Sequence, residues 1–299
     1  MWRSENQSAA GRPVSTAVLF VLIVLAPSCG RSGRITIGSK NFTEQIILGE
    51  ILSQHIEEKL GVKVSRRLDL GGTLLAHQAL VSGQIDLYPE YTGTALTTVL
   101  KLPISRDPDS VLDSVRKQYR ERWGIEWLSP LGFNNTFVMV IRGSDARRKN
   151  IQTLSEAAGR PKWVLGVGYE FFRRPDGLAG LLETYRLDLA HSPLTMDLGL
   201  LYRALEQGRI DMAAANATDG LLSVLDVQVL RDDRHYFPPY QAAVAIRASV
   251  LKQHPDLEAA LEDLSGRLSD QVMRKLNYEV DGKHRSAAIV AREFLHSQR

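Results

Sequence analysis

Three stretches carry residue types able to hold a charged small molecule. The first, Gly38-Ser39-Lys40-Asn41-Phe42, links a short apolar strand to a helix. Unpaired N–H groups and the dipole at a helix start favour an anion. Lys40 there either pairs with a carboxylate or stays a solvated lysine beside a capped helix. The second, Tyr88 to Thr94 (YPEYTGT), is joined by Phe137, Tyr236, Phe237 and Tyr240. Aromatics in loops after strands are poorly placed for a core. Converging faces can enclose a quaternary ammonium at about 0.5–2 kcal/mol per good contact, or they can pack as ordinary interface hydrophobes. The third is Phe171-Phe172-Arg173-Arg174-Pro175-Asp176-Gly177. Pro175 suits a helix start and Asp176 its first turn, which leaves one arginine to grip a carboxylate bidentately or to pair with a nearby acid.

Catalytic and metal-binding patterns are missing from the sequence. It holds no H-E-x-x-H, G-x-S-x-G, P-loop or G-x-G-x-x-G run, and its seven histidines are scattered without metal-ligand spacing. The single cysteine, Cys29, lies near the N-terminus, so no thiol nucleophile follows it. The expectation is a binding protein, not an enzyme, with no cofactor and no metal.

The elements that must position these residues centre on Gly71 to Thr94. A Gly-Gly-Thr turn leads into a short helix, Gly83 stops it, and a strand from Ile85 to Tyr88 ends in the Pro89 to Thr94 loop. Ligands in open α/β sheets sit at such carboxyl ends of strands. Ala79-Leu80-Val81-Ser82-Gly83-Gln84-Ile85-Asp86-Leu87 is echoed by Ala204-Leu205-Glu206-Gln207-Gly208-Arg209-Ile210-Asp211-Met212. The loops that follow, Tyr91-Thr92-Gly93 and Thr218-Asp219-Gly220, share chemistry. The echo predicts two α/β lobes of similar design, each offering one loop to a shared cleft.

Before this unit, the spacing predicts a strand over 34–37, a helix over 43–60 capped by Asn41 or Thr43, and a strand over 62–68. This strand–helix alternation predicts a parallel sheet. After it come helices near 111–122, 153–158, 177–185 and 198–206, and strands near 137–141, 163–167, 210–214, 227–230 and 242–246. Helices around 250–268 and 272–277 close the chain.

Composition fits a globular chain: 44% of the 299 residues are hydrophobic and 24% charged. Net charge is +3, from 37 basic and 34 acidic residues, with no basic run interleaved with aromatics. That balance gives no electrostatic footprint for nucleic acid. The first 29 residues are set apart. Arg3 and Arg12 precede the apolar run Thr16 to Ala26, and Pro27-Ser28-Cys29 follows. This is the pattern of a secretory signal, and the run falls short of the ~20 residues a membrane span needs. Cys29 at its end resembles the lipid-modified cysteine of bacterial lipoproteins, while Ala26 and Ser28 also suit an ordinary signal cleavage. The chain is therefore expected outside the cytoplasmic membrane, either free in the periplasm or anchored to the membrane's outer face.

Motif after motif along the chain then resembles one family. GSKNFTEQ (38–45), LGGT (70–73), GQIDLYPEYTGT (83–94), the strand start at Asn134 to Phe137, FxxRPDG (171–177), ATDG (217–220) and DDRHYFPPY (232–240) look like the substrate-binding proteins of glycine betaine/choline-type ABC importers. The resemblance covers nearly the whole chain after residue 33. It implies a two-lobed, type II periplasmic-binding-protein fold that closes on a small quaternary amine in the cleft between its lobes. It further implies a monomer that hands this ligand to an ABC permease in the membrane.

By that resemblance the ligand contacts are Lys40, Tyr91, Thr94, Asn135, Phe137, Arg174, Asn216 and Tyr240. The aromatics would cage the ammonium, while Lys40, Thr94 and Arg174 would hold a carboxylate. Asn216 stands where several betaine binders carry an aromatic, which points towards a ligand with a polar ring of its own, such as ergothioneine. Two lobes with shared termini need two chain crossings, and Phe133-Asn134 and Pro238-Pro239 are the natural places. That divides the chain into 34–133 plus 239–299 for one lobe and 134–238 for the other. Two rival classes are an enzyme on the same fold, with Glu90 and Asp219 as its acid–base pair, and a sensor that serves no permease.

Overall fold

The computed structural model describes residues 34–160 and 162–297. The expected signal segment and Cys29 lie outside these residues. Among the described residues, no helix is long and apolar enough to cross a membrane.

Two five-stranded sheets organise the chain. The first contains β1 (Ile35–Gly38), β2 (Val64–Arg67), β3 (Leu87–Tyr91) and β4 (Ile125–Trp127), and it also takes the late strand β10 (Ala242–Arg247), in the order β2-β1-β3-β10-β4. The second contains β5 (Phe137–Arg142), β6 (Leu165–Val167), β7 (Leu194–Thr195), β8 (Met212–Asn216) and β9 (Val227–Leu230), in the order β7-β6-β8-β5-β9. Both sheets are mixed, where the alternation had predicted parallel pairing. The first three strands of each order run parallel, and the fourth and fifth pair antiparallel. The departure has one cause. β10 and β5 each follow a crossing of the chain between the sheets, so they enter against the direction of β3 and β8.

The repeated unit feeds the central strand of each sheet by the same hydrogen bonds. Gln84 and Ile85 donate backbone N–H to the Ala79 carbonyl, and Arg209 and Ile210 do so to that of Ala204. The aspartate that follows then accepts a backbone N–H, Asp86 from Thr36 in β1 at 2.8 Å and Asp211 from Val164, just ahead of β6, at 3.2 Å. An arginine grips each aspartate, Arg247 on Asp86 and Arg142 on Asp211.

On the first sheet pack α1 (Thr43–Leu60), α2 (Thr73–Val81) and α4 (Pro108–Trp123), with the short turn α3 (Thr92–Thr94) leading into a π-helical stretch, Ala95–Val99. On the second pack α5 (Gly143–Lys149), α6 (Leu154–Ala158), α7 (Tyr169–Arg173), α8 (Leu178–Tyr185) and α9 (Leu198–Glu206). The chain closes with α10 (Ala248–Gln253), α11 (Leu257–Glu262), α12 (Asp270–Asp281) and α13 (Ala287–Ser297). One buried cluster runs from Ile35 and Ile47 through Phe133 to Leu165 and Tyr236, so a single apolar core joins the two sheets. The opposite face of each sheet carries its own smaller cluster, around Tyr88 and Tyr119 in the first and around Val140 and Leu205 in the second.

Several expectations are corrected. α1 spans 43–60 as the periodicity predicts, but its N-cap is Phe42, with no side-chain cap; the Thr43 hydroxyl instead donates to Asp281 at 2.6 Å. Strand β3 continues through Pro89-Glu90-Tyr91, and Thr92 to Thr94 begin a helix, so the expected loop is strand and helix. Antiparallel pairing of Leu87–Tyr91 with Ile246–Ala242 holds this extension. Pro89 is tolerated because β1 pairs β3 only at Ile37–Leu87, which leaves no ladder bond there for a proline N–H to make. The expected helix over 250–268 breaks after Gln253, just ahead of Pro255, which cannot continue a helical ladder.

Candidate functional site

The carboxyl end of β1 places Lys40 inside the protein. Its backbone N–H is held by the Gln45 side chain on α1 at 3.3 Å, and the residue is 3% exposed. The ammonium lies 2.6 Å from the Glu90 carboxylate, 3.4 Å from the Thr73 hydroxyl and 4.7 Å from the centre of the Tyr91 ring. Glu90 is fully buried and accepts two further hydrogen bonds, from the Tyr88 hydroxyl at 3.0 Å and the Tyr91 backbone at 2.7 Å. Lys40 is thus neither solvated nor waiting beside a helix dipole. It is half of a buried ion pair against an aromatic face.

Arg174 sits on the other sheet's side in a matching arrangement. Its Nε and Nη2 hold Asp176 bidentately, at 2.9 and 2.5 Å, and its Nη1 donates to Thr94 at 3.0 Å. The guanidinium lies 5.1 Å from the centre of the Phe137 ring and 5.5 Å from that of Tyr240. Asp176 also accepts from the Tyr240 hydroxyl at 2.6 Å and from Thr97 at 2.8 Å. Burial works against both charges, yet Tyr240 and Asp176 keep Arg174 above its ordinary pKa, and Arg174 keeps Asp176 below its own. Asp176 therefore does not sit in a helix's first turn. Arg174 is extended before Pro175, Gly177 caps the helix, and α8 starts at Leu178.

A third group joins the two. Glu44, in the first turn of α1, is 3% exposed and accepts from the Tyr91 hydroxyl at 2.6 Å, the Asn135 amide at 2.8 Å, the Asn277 amide at 3.0 Å and the Thr218 hydroxyl. Burial raises its pKa, and the four donors only partly offset that. Tyr91 at the end of β3 and Thr218 just beyond β8 therefore meet on one carboxylate. The sequence alone did not single out Glu44. The one local signal was its place inside the GSKNFTEQ run.

Asn216 is half-buried at the end of β8, directly opposite Phe137 in the ladder. Its backbone N–H donates to Asp219 at 3.0 Å, and the Tyr202 hydroxyl donates to the same carboxylate at 2.8 Å. Burial lifts Asp219 to about 6 against these hydrogen bonds, with the nearby Glu44 charge adding to the rise.

The structure thus brings Lys40, Tyr91 and Asn135 together, and separately Thr94, Phe137, Arg174 and Tyr240, with Asn216 beside Phe137. The two groups adjoin, since the Asn135 backbone N–H donates to the Tyr240 carbonyl at 3.1 Å. Two of the expected aromatics serve packing. The Tyr236 hydroxyl donates to the Gly177 carbonyl at 2.9 Å, and Phe237 packs against Phe137 and Phe171. Across the same region, Glu170 of α7 accepts from the backbone N–H of Thr73, at the start of α2, at 2.8 Å. A groove of about 590 Å³ runs beside residues 134–138 and 229–239, and of the expected contacts only Phe137 lines it.

Comparison with known proteins gives a consistent picture. Residues 33–297 match a family described as the substrate-binding domain of ABC-type glycine betaine transport systems. The chain is 35% identical over 285 residues to a carnitine transport binding protein of Listeria monocytogenes, covering 94% of this chain and 92% of that one. It is 34% identical over 302 residues to an ergothioneine transport permease/ergothioneine binding protein of Helicobacter pylori, covering 98% of this chain and 54% of that one, so it spans about half of that relative. Among solved structures, a glycine betaine/carnitine/choline ABC transporter protein superposes with a TM-score of 0.75 at 31% identity, covering 88% of this chain and 98% of that one.

Proposed function

This chain belongs to the substrate-binding proteins of ABC-type glycine betaine transport systems, with their two-lobed α/β fold, and we propose that it captures a small quaternary-amine zwitterion by lobe closure and delivers it to a permease subunit. Residues 34–133 and 239–299 form one lobe and 134–238 the other. The division is supported by strand membership, since the first sheet draws on 35–127 and 242–247 and the second on 137–230. The protein is exported as a monomer by the signal within residues 1–29, and is either free in the periplasm or held at the membrane's outer face through a lipid on Cys29.

The observation that carries this reading is the pairing of buried cations with aromatic faces from both sheets. Arg174 lies against Phe137 and Tyr240, and Lys40 against Tyr91. Such faces attract a quaternary ammonium as readily as they attract the protein's own cations. The Lys40 and Arg174 donors and the Thr94 hydroxyl supply contacts for a ligand carboxylate. Groups from both lobes favour the closed state once ligand is bound. A thermal-shift panel of glycine betaine, choline, carnitine, proline betaine and ergothioneine tests the reading, because a ligand of the folded state raises Tm in proportion to the logarithm of its concentration. A rise with one or more of them supports it, and a flat panel removes it.

A second reading concerns the ligand alone. Asn216 places an amide, not an aromatic wall, opposite Phe137. An ergothioneine-like ligand, with a polar ring besides its trimethylammonium, would use that amide. Ergothioneine shifting Tm further than glycine betaine would favour it.

A further inference from the structure

Glu90 makes the closest contact with Lys40, the cation that the proposed function assigns to a ligand carboxylate. It is fully buried, 2.6 Å from Lys40, and fixed from two further directions. Tyr88, itself fully buried, donates its hydroxyl to Oε2 at 3.0 Å, and the Tyr91 backbone donates to Oε1 at 2.7 Å. A carboxylate held in this way does not swing off when a ligand arrives, so Lys40 meets the ligand already carrying a counter-charge. Arg174 is in the same position with Asp176, which Tyr240 and Thr97 hold. Two buried cations therefore face two buried carboxylates, and Glu44 adds a third carboxyl group behind Tyr91. A ligand carboxylate must share the Lys40 ammonium with Glu90 and feel its repulsion, whereas a ligand ammonium is attracted by it. At such separations, with little water between, a unit charge shifts affinity severalfold to a hundredfold.

We propose that Glu90 is a specificity-determining residue of the cleft, positioned by Tyr88, that moderates the advantage Lys40 gives to carboxylate-bearing amines and so raises choline affinity relative to theirs. The proposal rests on the reading of the cleft as a quaternary-amine site. It assigns the discrimination to a residue behind the ligand contacts, working through Lys40, and not to the aromatic walls.

The test is calorimetric titration of wild type, Glu90→Gln and Tyr88→Phe with choline and with glycine betaine. Glutamine keeps the shape and an acceptor for the Tyr91 N–H while removing the charge. The ratio of choline to glycine betaine affinity is expected to fall about tenfold in Glu90→Gln. It should fall in the same direction by roughly threefold in Tyr88→Phe, where the carboxylate keeps its charge but loses a donor. A role confined to structural support would weaken both ligands together, and a ratio within about twofold of wild type in both variants overturns the proposal. Should Glu90→Gln fail to fold, the ratio in Tyr88→Phe decides by itself. Wild type binding neither amine overturns this proposal, and the quaternary-amine reading falls with it only if carnitine, proline betaine and ergothioneine also fail to bind. Wild type binding with an unmoved ratio in the variants overturns this proposal alone.

Discussion

The Thr218 hydroxyl donates to Glu44 across 174 residues of chain, to the same carboxylate that Tyr91 reaches from the other sheet. Tyr91 is the last residue of β3, and Thr218 follows the end of β8 by two residues. One shared acceptor thus ties the first helix to both central strands.

Tyr91→Phe separates the two jobs of that tyrosine. It removes one of the four donors to Glu44 while keeping the ring face beside Lys40. Urea unfolding should show a loss of about 1–3 kcal/mol, with affinity for the best ligand falling less than in Tyr91→Ala. Equal affinity losses in the two variants would show that the hydroxyl, not the face, serves the ligand.

Asp219 gives a pH dependence whose sign can be worked out. Burial raises its pKa from 3.8 to about 6, so the folded state holds its proton more tightly than the unfolded chain does. The stabilisation is complete below the unfolded value and is lost as pH rises through about 6. The stability of wild type relative to Asp219→Asn should therefore fall by up to about 3 kcal/mol between pH ~4 and ~7. Denaturation midpoints of both proteins across that range provide the check. A difference independent of pH would mean that the carboxyl is not perturbed.

Arg174→Ala leaves Asp176 buried without its counter-charge. An unpaired buried charge of this kind costs about 3–5 kcal/mol of stability, and the loss should be visible by calorimetric melting. Binding of carboxylate-bearing amines should suffer more than binding of choline. Equal losses for both would take from Arg174 its role at the carboxylate.

Gly72→Ala probes the bond between Glu170 and the start of α2. A Cβ at this position would come within 2.4 Å of the Glu170 carboxylate oxygen, so the side chain must move and release the Thr73 N–H. The backbone there is ordinary, with φ −74, and the fold should tolerate alanine. Losing one helix-start hydrogen bond between the lobes should weaken ligand binding by about 1 kcal/mol with Tm little changed. Unchanged affinity would place Glu170 outside the closure mechanism.

Residues that act through local pattern were legible in the sequence. The 43–60 helix carries its apolar spacing and its Gly61 stop in its own residues. The Ile-Asp entry to each central strand likewise repeats in sequence as it does in hydrogen bonds. The aromatics and cations were legible by type, and the structure gathers Lys40 beside Tyr91 and Arg174 beside Phe137 and Tyr240. Their internal partners were not. Glu90 reaches Lys40 across 50 residues and Glu44 reaches Asn277 across 233, pairings that only the folded chain creates. Asp176 lies two residues from Arg174, yet it was read as a helix-starting acid because Pro175 suggested a helix one turn too early. The mixed sheets were missed because strand direction depends on where the chain crosses between lobes, which the alternation of elements does not encode.

Calorimetric titration of the chain lacking residues 1–29, against glycine betaine, choline, carnitine, proline betaine and ergothioneine, tests the central claim most directly. The account predicts saturable binding of at least one of these amines at one site per chain, abolished or strongly weakened in Tyr240→Ala. Absence of binding heat across the whole panel, from a protein shown to be folded, would contradict it.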